Sequence, residues 1–170
     1  MLTKSTNYYN IPLTLDEMNQ CGVAAYQKSI ASKNFNKKGM EEDFLLDVKA
    51  FGAELAISKM LNIAPQTGIG KFLNGALPDI VHNHPNKKTY EIDVKTVKQN
   101  HYKYMIVETV RPTWLYFMVK GSLDTATFQP IGYCKGSQIP TGLIDFNNGR
   151  EPCRAILISN LTPFTGSYGN

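Results

Sequence analysis

The chain has 170 residues, of which 42% are hydrophobic and 19% are charged, and its formal net charge is +4 at pH 7. This length allows one domain with a proper core, and the ordinary composition excludes a disordered or fibrous chain. No apolar run approaches the roughly 20 residues of a membrane helix, and the first residues contain no apolar signal segment. The three cysteines are widely spaced, which is typical of a reducing compartment. We therefore expect a soluble, cytoplasmic protein whose modest positive charge permits a polyanionic partner without identifying one.

Two helices are predicted in the first third of the chain. Thr14-Leu15-Asp16-Glu17 is a capping-box pattern, so a helix should begin at Leu15 and end in the polar run that starts at Ser32. Met40 to Leu61 is the strongest helical segment, because acidic residues occupy its first turn and an apolar stripe recurs at helical spacing. Glu54 falls about a right angle from the centre of that stripe. It should therefore lie at the border between the buried and the exposed face.

The stretch from Ala64 to Ala76 contains one proline and three glycines and is predicted as a loop. Its Gly68-Ile69-Gly70-Lys71 superficially suggests a phosphate cradle. Phe72 stands where a Walker motif needs serine or threonine to hold magnesium, so that motif is excluded. Lys71 keeps two interpretations, a contact to phosphate and a plain connecting loop.

A predicted β-hairpin carries two aspartates and a lysine with a clear chemical pattern. Pro78-Asp79-Ile80-Val81 is predicted to open a strand, and Thr89 to Thr96 is predicted as the returning strand after a turn-forming segment. Because side chains alternate along a strand, Asp93 and Lys95 should share a polar face about 7 Å apart, opposite the apolar residues of the same strand. The partner strand could bring Asp79 alongside. Such a trio suits phosphodiester hydrolysis, since carboxylates hold hard divalent cations and lysine handles a water or a developing negative charge.

Directly after this strand, cationic side chains are interleaved with aromatic and amide side chains. This composition suits a surface that grips a nucleic-acid backbone or stacks against bases. An irregular polar loop is the alternative. The candidate nucleic-acid contacts are Lys71, Lys98, Gln99, His101, Tyr102 and Lys103.

Further strands are predicted downstream. Met105 to Val107 and Trp114 to Val119 are apolar and β-prone and should build the sheet, the second as a central strand buried on both faces. Phe128 to Tyr133 should lie near an edge, because Pro130 lacks a backbone donor. Arg154 to Ile158 is predicted as the last strand.

Pro78-Asp79, followed after thirteen residues by Asp93-Val94-Lys95, resembles the signature of the PD-(D/E)xK nuclease superfamily. The resemblance implies a restriction-endonuclease-like fold, an α/β sandwich whose central mixed β-sheet is flanked by helices. The chain would then be a single nuclease domain with an N-terminal helical extension at 1–39, a catalytic core at 40–133 and a C-terminal elaboration at 134–170.

The same resemblance implies a Mg²⁺- or Mn²⁺-dependent nuclease that acts on DNA, with endonuclease favoured over exonuclease activity. Asp79 and Asp93 would bind the metal together with the backbone carbonyl of Val94. Glu54 would correspond to the helix acid that many family members place before the first core strand. Lys95 would orient or deprotonate the attacking water. A monomer and a homodimer both remain open.

Two rival functions follow from the same residues. One is a nucleic-acid-binding module that keeps the fold without catalysis. The other is a structural or assembly protein in which the acidic and lysine side chains form a surface ion cluster of little energetic weight.

Overall fold

The computed structural model describes residues 10–31, 40–64, 77–97, 103–146 and 151–164, which form a mixed α/β structure. Helix α1 spans Leu15–Ala31 and helix α2 spans Met40–Met60. Within the described residues, no helix is both long and apolar enough to cross a membrane. The strands are β1 (Ile11–Pro12), β2 (Ile80–Asn83), β3 (Thr89–Thr96), β4 (Tyr104–Val107), β5 (Leu115–Ser122), β6 (Thr127–Lys135), β7 (Leu143–Ile144), β8 (Cys153–Leu157) and β9 (Thr162–Pro163).

The capping box predicted for α1 is present. The Thr14 amide donates to Glu17 Oε2 at 2.6 Å, and the Glu17 amide donates to Thr14 Oγ1 at 3.2 Å. These two bonds satisfy amides that lack intrahelical partners, so the helix begins at Leu15 as predicted. The prediction for α2 is also confirmed, with its last residue at Met60.

The central sheet has the strand order β1-β6-β5-β3-β2, and β9 also pairs with β6. Strands β3 and β5 are parallel, whereas the other pairs are antiparallel. The sheet is therefore mixed, as the sequence predicted. The long apolar strand β5 lies at its middle, and the predicted burial on both faces is confirmed because its first five residues are all buried.

Strand β6 contains Pro130 and is the second strand from the edge of the central sheet. Met118 pairs with Gly132 and Val119 pairs with Pro130, so Ile131 is an extra residue that forms a bulge. Among the described residues, the outer side of β6 pairs only with the two-residue strands β1 and β9, which leave Pro130 between them. The missing donor of Pro130 therefore interrupts no continuous ladder.

Strand β4 lies in a second, three-stranded sheet with the order β4-β8-β7. The prediction that Met105–Val107 builds the same sheet as β5 is therefore wrong. Its partner is β8, with Tyr104 opposite Leu157 and Val107 opposite Arg154. Such a distant pairing has no local signature in the sequence. The strand predicted at Arg154 to Ile158 is confirmed as β8, but β9 follows it.

Two apolar cores cover the two faces of the central sheet. On one face, α1 and α2 pack against alternate residues of β3 and β5, such as Ile92, Val94 and Phe117. On the other face, the second sheet packs against Tyr116 and Met118 of β5. A residue of β3 that points to this second face is therefore partly enclosed.

Candidate active site

The hairpin register places the two aspartates of the sequence motif opposite each other. Ile80 of β2 pairs with Ile92 of β3 in an antiparallel ladder. One residue earlier on β2 corresponds to one residue later on β3, so Asp79 lies opposite Asp93. Asp79 Oδ2 also accepts a hydrogen bond from the Val94 amide at 2.7 Å. The hairpin predicted from the sequence is confirmed, and it holds Asp79 against the middle of β3.

Alternation along β3 separates the chemical face from the core face. Ile92 and Val94 point into the helix-covered core with 0% and 7% exposure. Asp93 and Lys95 point to the other face, where Lys95 Nζ lies 2.7 Å from Asp93 Oδ1. The side chains of Lys95 and Asp93 are 32% and 15% exposed. The pair is thus partly enclosed yet accessible to a ligand.

The environment of Asp93 favours its protonated form. Burial raises the pKa of the Asp93 carboxyl most strongly; Lys95 opposes this rise, and the neighbouring Asp79 adds to it. The net result is a pKa of about 6, compared with an ordinary value of 3.8. Burial therefore accounts for the net rise, because the attraction of Lys95 is larger than the repulsion by Asp79.

The environment of Lys95 favours its charged form. Burial by itself lowers the pKa of Lys95, but the nearby Asp93 and Asp79 carboxylates outweigh that effect and raise the pKa above its ordinary value. Lys95 is therefore an ammonium group at neutral pH in the absence of metal.

Tyr116 is a member of this site that the sequence analysis missed. It pairs with Asp93 in the parallel β3–β5 ladder, so the two side chains lie on the same face. Burial is the largest influence on its raised pKa, and the charges of Asp93 and Lys95 also act on its hydroxyl. Its one sequence signal is a hydroxyl-bearing side chain within an otherwise apolar run.

Glu54 lies on α2, which packs on the opposite face of the central sheet from Asp93 and Lys95. Burial is the main cause of the raised pKa of the Cys21 thiol in α1, and the charge of Glu54 contributes to it. Glu54 therefore lies on the part of α2 near Cys21. A role for Glu54 beside the two aspartates stays a prediction.

The predicted nucleic-acid contacts fall mostly outside the described residues. Lys103 is described and exposed, directly before β4. Its role in binding stays a prediction. The predicted contacts outside the described ranges are Lys71, Lys98, Gln99, His101 and Tyr102.

The donor set that these elements bring together consists of two carboxylates beside one strand. Among the described residues there is no group of three or more His, Cys, Asp or Glu side chains placed to hold a metal ion. A cation at this position would therefore need backbone or water oxygens in addition to Asp79 and Asp93.

Comparisons with protein-family models, with curated proteins and with solved structures found no match to this chain.

Proposed function

We propose that this chain is a divalent-metal-dependent nuclease of the PD-(D/E)xK type that hydrolyses phosphodiester bonds in DNA, as an endonuclease. The observation that supports the proposal is the convergence of Asp79, Asp93 and Lys95 on one face of the β2–β3 hairpin. The mixed central sheet supports this proposal, whereas the described helices cover only one of its faces and the second sheet covers the other. The preference for DNA and for endonuclease activity comes from the family resemblance alone.

The residues present fit a Mg²⁺ or Mn²⁺ ion. The raised pKa of Asp93 reflects burial and repulsion by Asp79, and a divalent cation between the two carboxylates would relieve that repulsion. The amide and carbonyl of one residue point to the same side of a strand. Since the Val94 amide points to Asp79, the Val94 carbonyl faces the same side and could supply a third oxygen.

A bound Mg²⁺ or Mn²⁺ would supply a hydroxide source near neutral pH and would neutralise charge on the phosphate. The chain's own residues would bind the metal ion and orient the reacting groups. Asp79, fixed by the Val94 amide, would hold the ion at the strand, and Asp93 would hold it from the opposite register position.

Lys95 would act as a hydrogen-bond donor at the scissile phosphate. Its raised pKa keeps it protonated in the metal-free chain, and an ammonium group has no lone pair with which to accept a proton. It would therefore orient the attacking water or stabilise negative charge as it develops on phosphate oxygens.

The test is cleavage of supercoiled circular and linear DNA by the purified protein in Mg²⁺, Mn²⁺ or chelator. We expect nicking or linearisation of the circle with metal and no cutting with chelator, and loss of cutting in Asp93→Ala and Lys95→Ala. Lys28→Ala is the matched control, because Lys28 pairs with Asp47 in the helical layer. Cutting at the parent rate by either site variant would contradict the proposal.

The runner-up is a nucleic-acid-binding module without catalysis. The 2.7 Å ion pair between Lys95 and Asp93 favours it, since that pair occupies one of the carboxylate oxygens that a metal would need. Binding of DNA with chelator, combined with no cleavage in Mn²⁺, would favour the module over the enzyme.

A further inference from the structure

A cleft of about 480 Å³ opens at the end of the central sheet where β3 and β5 begin and β6 ends. This volume is within the range of roughly 300 to 1,000 Å³ that is typical of small-molecule sites. Buried Leu115 lines the cleft and is paired in register with Lys135. The cleft does not include Asp79, Asp93 or Lys95.

One wall of the cleft is a loop whose backbone is fixed in place. The Tyr116 hydroxyl accepts a hydrogen bond from the Arg111 amide at 2.8 Å and donates to the Thr109 carbonyl at 3.1 Å. The Ser137 amide donates to the Pro112 carbonyl at 3.0 Å. This wall is therefore formed before any ligand arrives, which lowers the entropic cost of binding.

A glycine is required where this loop meets the end of β6. A Cβ atom on Gly136 would lie 1.9 Å from the Arg111 carbonyl oxygen, so only glycine allows this approach. Tyr116, which fixes the loop, is also the partner of Asp93 in the β3–β5 ladder. Tyr116 therefore contacts both the loop of the cleft and the strand that carries Asp93.

The chemistry of the lining suits a nucleotide. The described lining residues include two lysines, Lys88 and Lys135, and no acidic side chain. Neither lysine forms an ion pair with another residue in the described part of the chain. Tyr90 and Pro112 add flat apolar surface beside the lysines. Cationic groups that bind phosphate next to a ring that stacks on a base are the two elements of single-strand recognition.

The cleft and the acidic site lie on different faces of the central sheet. Tyr90 and Leu115 belong to the core that α1 and α2 cover, and Lys135 pairs with Leu115. Asp93 and its ladder partner Tyr116 lie on the opposite face. The cleft is therefore a separate place on the sheet, at the end where β3 and β5 begin.

We propose that this cleft binds a nucleotide of single-stranded nucleic acid. The phosphates lie on Lys88 and Lys135, and one base lies against Tyr90 and Pro112. An unpaired base can turn its face onto a side chain, whereas a base within a duplex cannot. This binding does not depend on the proposed function.

The test uses fluorescence anisotropy with labelled 15-nucleotide oligodeoxyuridylate and oligouridylate, in chelator and over a range of salt. Neutralisation of both lysines in Lys88→Gln/Lys135→Gln should weaken binding roughly tenfold at low salt, and should reduce the slope of log K against log salt by about 1.4. The single variant Lys28→Gln is the control and should keep the parent slope. Circular dichroism should show the same melting curve for the double variant and the parent, because both lysines are exposed.

If the double variant loses the same affinity for both oligonucleotides, the cleft recognises the phosphate and the base. If it loses affinity for only one of them, that oligonucleotide identifies the sugar that the cleft accepts. Parent affinity and slope in the double variant would overturn the inference. Metal-dependent cleavage by the parent, measured separately, distinguishes the two proposals. If the parent cleaves DNA and the double variant binds normally, the cleft proposal is refuted and the nuclease proposal is not. If the parent binds through these lysines but never cleaves, the nuclease proposal is refuted and the cleft proposal is not.

Discussion

The carboxylate of Asp79 accepts a hydrogen bond from the backbone amide of Val94 at 2.7 Å. This bond fixes the residue before β2 to the middle of β3, at the position where the β2 ladder has already ended. This hydrogen bond to a side chain thus connects the two strands one residue beyond their last backbone pair. The same contact brings a second carboxylate beside Asp93.

Substitutions of Asp79 should separate its structural role from its proposed metal role. Asp79→Ala should lower the free energy of unfolding by about 1 to 3 kcal/mol, because the partly buried Val94 amide loses its acceptor. Asp79→Asn keeps an acceptor oxygen and should retain most of that stability. Urea titration in chelator measures this difference.

Both Asp79 variants should bind Mn²⁺ weakly, because each lacks the charged ligand, and isothermal titration calorimetry measures that affinity. Equal losses of stability in the alanine and asparagine variants would contradict the hydrogen-bonding role. Parent-like Mn²⁺ affinity in both would contradict the metal role.

The stability of the metal-free protein should fall as the pH rises through the titration of Asp93. Burial, reinforced by Asp79 and opposed by Lys95, raises the pKa of this carboxyl from 3.8 to about 6. The folded state then binds a proton more tightly than the unfolded state, so stability is lost between about pH 4 and about pH 6. The loss should be on the order of 2 to 3 kcal/mol above that range.

Asp93→Asn is the matched variant, since its amide does not titrate. The difference in unfolding free energy between parent and variant, measured by urea titration from pH 4 to pH 8 in chelator, should change in that window. Added Mn²⁺ should stabilise the parent at pH 7.5 and leave the variant unchanged, because metal binds the folded state. A difference that is constant with pH would show that the carboxyl titrates normally.

Removal of the Lys95 charge should reduce both catalysis and stability at neutral pH. The partial burial of Lys95 and Asp93 means that Lys95→Met leaves an enclosed carboxylate without its cation. The stability loss should shrink towards pH 5, where Asp93 takes up a proton. Cleavage should fall by roughly 10² to 10³, as when one stabilising donor is removed from a transition state.

Lys95→Arg keeps the positive charge and serves as the control for stability. Thermal melts at pH 5 and pH 7.5 in chelator, together with initial cleavage rates in Mn²⁺, give the comparison. If Lys95→Met were as stable as the parent at pH 7.5, the ion pair with Asp93 would not contribute to the fold.

The parts of this site that the sequence could predict are those encoded by nearby residues. The alternation of apolar and charged residues from Thr89 to Thr96 predicts which face of β3 carries Asp93 and Lys95. The turn-forming segment before it predicts the hairpin that brings in Asp79. Thr14 and Glu17 likewise predict the start of α1. Each of these signals acts within about fifteen residues.

The second sheet and the loop at Arg111 could not be predicted in this way. Strand β4 pairs with β8 across almost fifty residues, and the apolar run at Met105 is equally compatible with either sheet. Tyr116 has a hydroxyl in an apolar strand, but its partners at Thr109 and Arg111 depend on the folded loop. The sequence therefore indicates that a side chain is buried without indicating what it contacts.

Two helical glycines should respond in opposite ways to the same substitution. Alanine is the better helix former by about 1 kcal/mol, and at Gly22 in α1 an added Cβ meets nothing within 4 Å. Gly22→Ala should therefore raise the free energy of unfolding by about 0.5 to 1 kcal/mol. At Gly52 in α2 the added Cβ would lie 2.3 Å from the Phe128 ring, which also lies against Gly121 of β5.

The Phe128 ring is fully buried, so it has little room to move away from Gly52. Gly52→Ala should therefore lower stability by about 1 to 3 kcal/mol despite the better helix propensity. Phe128→Leu shortens the side chain, and in combination it should make Gly52→Ala less costly than it is alone. A double-mutant cycle by urea denaturation measures this coupling, and additive effects of the two substitutions would show that the ring and the helix do not meet as described.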